Sequence, residues 1–136
     1  MNYDGRFREL GMHEIACKCG CGFNRIPLAL AEVFMTIRRE FGEGIRITSG
    51  CRCESHNRAV GSVSNSHVKG QALDIAVFRR TGNEETDRLA FERLGLCIGK
   101  ARSNDMPINV GINRLQMFYH IDINFTGGRW NLVFGY

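Results

Sequence analysis

Two histidines and one aspartate have the types and spacing that a metal-dependent hydrolase requires. His67 and Asp74 are seven residues apart with Gly70 between them, and His120 lies downstream in an apolar segment. An ionised aspartate in an apolar strand loses hydration unless it is paired or bound to a metal. Two imidazoles and a carboxylate form a three-ligand set for catalytic zinc, whose open position holds water. Zinc lowers the pKa of that water towards about 7.

Hydrogen bonds among buried polar side chains would explain the same three residues without a metal. Residue types and spacing alone leave that alternative open. What decides between the two is whether the fold brings the three side chains together.

The elements that must position these residues follow from the hydrophobic pattern and from turn and cap residues. The predicted helices cover 28–41, 53–60 and 83–97, and the predicted strands cover 45–48, 72–78, 108–113, 116–123 and 129–134. Asp74 falls in the second strand and His120 in the fourth. Gly127 and Gly128 predict a hairpin turn between the last two strands. The order of elements indicates an α+β fold, with a small, largely antiparallel sheet flanked by two to three helices.

The composition is that of one globular domain. The chain has 136 residues, of which 43% are hydrophobic and 24% are charged. We expect a single domain over 1–136, in which 1–26 form an irregular lead-in rich in cysteine and glycine. No apolar run approaches the roughly 20 residues that span a bilayer, so no membrane partner is expected. The net charge of +4 comes from scattered basic residues, which suits an anionic partner or simple solubility and argues against nucleic acid.

Six cysteines are many for a chain of this length, and five of them lie in two clusters. Three alternate within 17–21, and two more are Cys51 and Cys53. The spacing differs from the C-x2-C pairs of common zinc ribbons. Plain thiols, disulfides formed in an oxidising compartment and a second, structural zinc all remain open.

Three ordered motifs resemble one family. The stretch 64–74 (SNSHVKGQALD), followed by a strand with His120-Ile121-Asp122, resembles the signature Ser-x-His-x-x-Gly-x-Ala-x-Asp and His-x-Asp. This signature belongs to the zinc D-Ala-D-Ala carboxypeptidases and murein peptidases of the hedgehog/DD-peptidase fold. The segment 47–53 (ITSGCRC) resembles the family's Ser-Gly-x-Arg element, and the N-terminal CKCGCG resembles the lead-in of small, phage-like members.

The resemblance implies a role for each matching residue. It assigns one catalytic Zn²⁺ to His67, Asp74 and His120. It also implies that Arg52 binds the carboxylate of the substrate or polarises the scissile carbonyl, a role that a permanently charged fork can fill. Ser66 and His56 are expected on the substrate side. For His56 a solvated surface position is the alternative.

The general base is where the sequence departs from the family. The residues just before His120 include no carboxylate and no histidine, where family members often place a Glu, Asp or His. Asp122 is the nearest candidate, because residues i and i+2 of a strand point to the same face. It can act as the base or can orient a zinc ligand through a hydrogen bond.

The predicted function is hydrolysis of peptide bonds in peptidoglycan stem peptides, as a carboxypeptidase or an endopeptidase. The alternative is a non-catalytic, zinc-stabilised module that binds cell wall or protein. We expect a monomer that binds neither nucleic acid nor membrane. The first ten residues show no apolar signal core, so we expect synthesis in the cytoplasm and action at the cell wall or periplasm, in association with phage or virion.

Overall fold

The computed structural model describes residues 1–62 and 65–125, together with the backbone of 131–133. Its helices and strands follow the predicted order. They are α1 (Met12–Ile15), α2 (Leu28–Phe41), β1 (Ile45–Ser49), α3 (Glu54–Ala59), β2 (Ala72–Val77), α4 (Glu84–Ser103), β3 (Asn109–Asn113), β4 (Phe118–Asp122) and β5 (Asn131–Val133). The predicted α+β class is confirmed, and α2 and α4 are the two long helices.

One sheet contains the strands in the order β1-β2-β4-β3-β5. The pairs β1–β2, β2–β4 and β4–β3 are antiparallel, and β5 runs parallel to β3. The predicted hairpin between the last two strands is therefore wrong. The strand β4 already has β2 on one edge and β3 on the other, so it has no free edge for β5. Gly127 and Gly128 lie outside the described residues.

The long helices cover the sheet. Leu30, Phe34 and Ile37 on one face of α2 are buried, and α2 packs against α4, which also contacts β2. The helix α4 continues to Ser103, six residues beyond the predicted end at 97. Its buried stripe explains the extension, because Leu94, Ile98 and Ala101 continue the helical spacing. Each added turn therefore buries another apolar side chain, which outweighs the cost of a glycine at position 99.

The lead-in over 1–26 is irregular, apart from the single turn of α1, but it is part of the core. Tyr3, Leu10 and Ile15 are buried within the main hydrophobic cluster. The amide of Cys51 donates to the carbonyl of Ile15 at 2.8 Å. The same carbonyl would lie 2.5 Å from a Cβ at Gly50, so the approach requires glycine. The lead-in therefore packs tightly against the loop that follows β1.

Among the described helices, none is long and apolar enough to cross a membrane.

Candidate active site

The two central strands present different side chains to their two faces. On β4, the Tyr119 ring stacks on Phe91 of α4, and its hydroxyl donates to the Phe91 carbonyl at 2.8 Å. Since side chains alternate along a strand, His120 points to the other face of the sheet. On β2, Asp74 lies directly opposite His120 in the register. The strand pairing thus sets a carboxylate beside an imidazole on the face away from α4.

The third member of the group comes from the turn that precedes β2. His67 lies in this turn, which closes through hydrogen bonds from Gly70 N to His67 O (3.1 Å) and from Gln71 N to Ser66 O (2.9 Å). Gly70 has φ +69°, and a Cβ there would lie 2.2 Å from the carbonyl oxygen of Arg25. Only glycine satisfies both conditions, so the turn that places His67 depends on it.

Three buried side chains meet at this point. Asp74 Oδ1 lies 3.2 Å from His67 Nε2 and 2.9 Å from His120 Nδ1. All three ligand atoms lie within 4.8 Å of one another. An ion bound 2.0–2.2 Å from each ligand in a tetrahedron sets the ligand atoms about 3.3–3.6 Å apart. The group is close to that arrangement.

The partner of His67 Nδ1 fixes the tautomer of this imidazole. Nδ1 lies 2.6 Å from the carbonyl oxygen of Gly50, which can only accept, so Nδ1 carries a hydrogen. In the neutral imidazole, the lone pair of Nε2 then faces the carboxylate oxygen of Asp74. Two acceptors at 3.2 Å need a proton or a cation between them. The donor set therefore fits a metal ion, with Gly50 holding the ring in position.

Asp74 and His120 are strongly coupled. Burial opposes ionisation of Asp74, but hydrogen bonds from His120 and His67 outweigh it and lower its pKa to about 2. Burial likewise opposes protonation of His120, but Asp122 and Asp74 outweigh it and raise its pKa to about 9. The site thus concentrates negative charge, which favours either a proton on His120 or a divalent cation beside it.

Asp122 is completely buried behind His120. Its Oδ2 lies 2.6 Å from Nε2 of His120, whereas Nδ1 of the same ring faces Asp74. Its Oδ1 accepts from the side-chain amide of Asn109 at 2.9 Å and from the backbone of Asn124 at 3.0 Å. Both oxygens are therefore engaged within the protein, and the carboxylate is held in one orientation.

Arg52 lies beside the His67 turn. Its backbone amide donates to the carbonyl of His67 at 3.1 Å, and its side chain is 9% exposed. Burial lowers the pKa of the guanidinium, and the charge of Asp74 opposes that shift. Among the described residues, Nε of Arg52 has no hydrogen-bond partner. A buried donor of this kind is available to a ligand that carries an oxygen.

The other two predicted residues have different surroundings. The hydroxyl of Ser66 is buried and lies 3.5 Å from Oδ2 of Asp122, at the long limit of a hydrogen bond, and it accepts from Asn124 at 3.3 Å. His56 is half-buried on α3, and in the described part of the chain no hydrogen bond links its ring to the His67 group.

Sequence reasoning missed the residues that support the site. Asn109 lies opposite Asp122 in the pairing of β3 with β4. Gly50 is the glycine of the Ser-Gly-x-Arg element, and its contact with His67 was not predicted. A polar residue at the start of an apolar strand was the only available signal for Asn109. Its partner depends on the strand register, which the sequence pattern does not specify.

A buried His-Asp-His group on an antiparallel sheet is the kind of site that metallohydrolases use. The family model for Peptidase M15 matches residues 7–122, and the chain belongs to this family. The matched region contains all three residues of the group, together with Arg52 and Asp122. Comparison with curated proteins gives no significant match, and comparison with solved structures gives none either.

Proposed function

We propose that this chain is a zinc-dependent peptidase that hydrolyses peptide bonds in peptidoglycan stem peptides. The observation that carries the proposal is the buried group of His67, Asp74 and His120, within a chain of the Peptidase M15 family. These three residues would hold the zinc. Bound there, zinc polarises the scissile carbonyl and lowers the pKa of a coordinated water.

Arg52 would bind the substrate. Stem peptides carry carboxylates, and a guanidinium can hold a carboxylate through two parallel hydrogen bonds. Within the described residues, Nε of Arg52 has no hydrogen-bond partner, and Arg52 is buried next to the His67 turn; both observations support this role. Ser66 and His56 stay candidates for the substrate side, with fewer contacts in their support.

Asp122 would orient His120. A buried carboxylate that accepts from the distal ring nitrogen of a ligating histidine fixes its tautomer and raises its basicity. The contact at 2.6 Å and the two further hydrogen bonds of Asp122 favour this role over that of general base. A general base should exchange protons with substrate and solvent, and Asp122 is fully buried.

One alternative function has an observation in its favour. Apart from Asp122, no carboxylate or histidine within the described residues hydrogen-bonds to the three-residue group. A module that binds zinc and cell wall without turnover would need no such group. Digestion of muropeptides, described below, distinguishes the two functions.

The site of action would be the bacterial cell wall. A net charge of +4 suits an anionic polymer. We propose that the protein is a phage-like enzyme made in the cytoplasm. It would act on the wall as a monomer.

The test is digestion of purified muropeptides that carry intact pentapeptide stems, followed by mass spectrometry. Zinc-loaded protein should release one D-Ala as a carboxypeptidase or cut internally as an endopeptidase. Chelation should abolish the reaction, and zinc should restore it. His67→Ala should be inactive, whereas His13→Ala, which removes an exposed histidine, should match the parent protein. Stoichiometric zinc without any change in the stems would support the binding module instead.

A further inference from the structure

We propose that a second metal site, separate from the His67 group, binds one zinc ion through four thiolates. Its ligands are Cys17, Cys19, Cys21 and Cys53. The first three come from the lead-in that follows α1, and the fourth immediately precedes α3. The two groups share no residue.

The sulfur positions fit a tetrahedral ion. Cys17 Sγ lies 3.3 Å from Cys19 Sγ and 4.0 Å from Cys53 Sγ, and the latter two sulfurs are 3.6 Å apart. With Cys21 included, all four lie within 4.8 Å of one another. Zinc–sulfur bonds of about 2.3 Å give a tetrahedral edge of about 3.8 Å. The three distances bracket that value and far exceed the roughly 2.05 Å of a disulfide.

The backbone brings the sulfurs together and points amide donors at two of them. Gly20 N donates to the carbonyl of Cys17 at 3.2 Å, which turns the chain back within the C-x-C-x-C segment. The amide of Cys53 points at Cys17 Sγ (3.5 Å), and the amide of His56 points at Cys53 Sγ (3.4 Å). Hydrogen-bond donors of this kind support and orient the ligands of a bound metal.

Packing does not explain these four cysteines. Cys19 and Cys21 are exposed, Cys53 is half-buried and only Cys17 is buried. The other two cysteines, Cys51 and Cys97, are buried members of the hydrophobic cluster, where thiols act as small apolar groups. Four thiols that converge at a partly exposed surface are a soft ligand set, which selects zinc over hard cations.

The proposed site has a structural consequence for the arginine beside it. Four protein ligands fill a tetrahedral zinc, so this centre would be closed and would act as a cross-link. It would tie 17–21 to the residue that follows Arg52. Backbone hydrogen bonds also fix this loop, from Cys51 to the carbonyl of Ile15 and from Arg52 to the carbonyl of His67.

The experiment measures metal content and cobalt spectra of the full-length chain. Elemental analysis of protein purified without chelators should give two zinc ions per chain, one for each centre. The double variant Cys19→Ser/Cys21→Ser should lose one zinc, His67→Ala should lose the other, and Cys97→Ala should keep both. Because Cys19 and Cys21 are exposed, their replacement leaves the hydrophobic core intact.

Cobalt separates the two centres spectroscopically. Substitution with Co²⁺ should give an intense thiolate-to-metal charge-transfer band, which His67→Ala retains and the double cysteine variant loses. A cobalt spectrum without this band would overturn the proposal, whatever the His67 group binds. Disulfides among the four cysteines in protein purified anaerobically would also overturn it.

Discussion

The two candidate metal centres lie in the same small chain and are built in opposite ways. The His67 group is buried, its three ligands come from a turn and two central strands, and further hydrogen bonds hold both imidazoles. The cysteine group lies largely at the surface, and its four ligands come from irregular backbone. Three ligands leave a position for a reacting molecule, whereas four leave none. Hydrogen bonds that orient the ligands suit a centre that reacts with substrate. A full set of four protein ligands suits a centre that cross-links two segments of the chain.

The largest expected effect comes from the His67 group, which is the proposed catalytic centre. His67→Ala should reduce kcat/KM for muropeptides by about 10³-fold or more, because loss of metal removes several kcal/mol of transition-state stabilisation. Steady-state kinetics together with elemental analysis checks this, with His13→Ala as the control. Retained activity in a variant that lacks this zinc would reverse the roles that we assign to the two centres.

A smaller effect should come from the turn that carries His67. Gly70→Ala should lower the free energy of unfolding by about 3 kcal/mol or more, since it adds a clash with the Arg25 carbonyl to the cost of a left-handed residue. Gly61→Ala is the matched control, because Gly61 has φ +74° and no atom of the described residues lies near its Cβ position. It should cost only about 1–2 kcal/mol. Urea titration measures both, and equal losses would show that the turn tolerates a shift.

Asp122→Asn should lower metal affinity and activity at the His67 group, by less than His67→Ala does. Loss of a charged acceptor behind a ligating histidine typically costs about 10–100-fold in metal affinity or activity. Zinc affinity measured by competition with a chromophoric chelator should therefore fall, and added zinc should restore part of the activity. The control is Asp105→Asn on the exposed surface, where φ +65° suits either residue. If excess zinc restores none of the lost activity, Asp122 acts as the base instead.

The mildest test compares the two centres directly. Graded chelation should remove the metal from the three-ligand group first, since a fourth protein ligand makes the cysteine group harder to open. Peptidase activity should therefore fall at lower chelator concentrations than the thiolate-to-cobalt band does. Loss of both signals together would indicate that the centres are coupled through the loop of Arg52.

The sequence predicts the three residues of the His67 group better than it predicts the residues around them. His67, Asp74 and His120 form a motif, and the strands that carry two of them follow from the local hydrophobic pattern. The contact of Asn109 with Asp122 depends on the register between β3 and β4. Strand pairing is non-local, which is also why the parallel pairing of β5 with β3 was not predicted.

The lead-in shows the same limit from another side. Its lack of periodicity predicts irregular structure, and the described elements within 1–26 include the short helix α1. Irregular backbone can still be buried when a few side chains such as Leu10 and Ile15 meet the core. No periodic pattern reports such contacts, because they depend on where the rest of the chain lies.

The pairing of Asp74 with His120 also determines when the reactive centre can appear as the protein folds. The two residues are 46 positions apart in the chain, and they meet only when β4 has docked on β2. Contacts of this range form late, since a long loop must close before they contribute. The antiparallel pair of β1 and β2 would therefore carry Asp74 before His120 has joined it. Zinc uptake at His67 and His120 would mark the end of folding rather than its beginning.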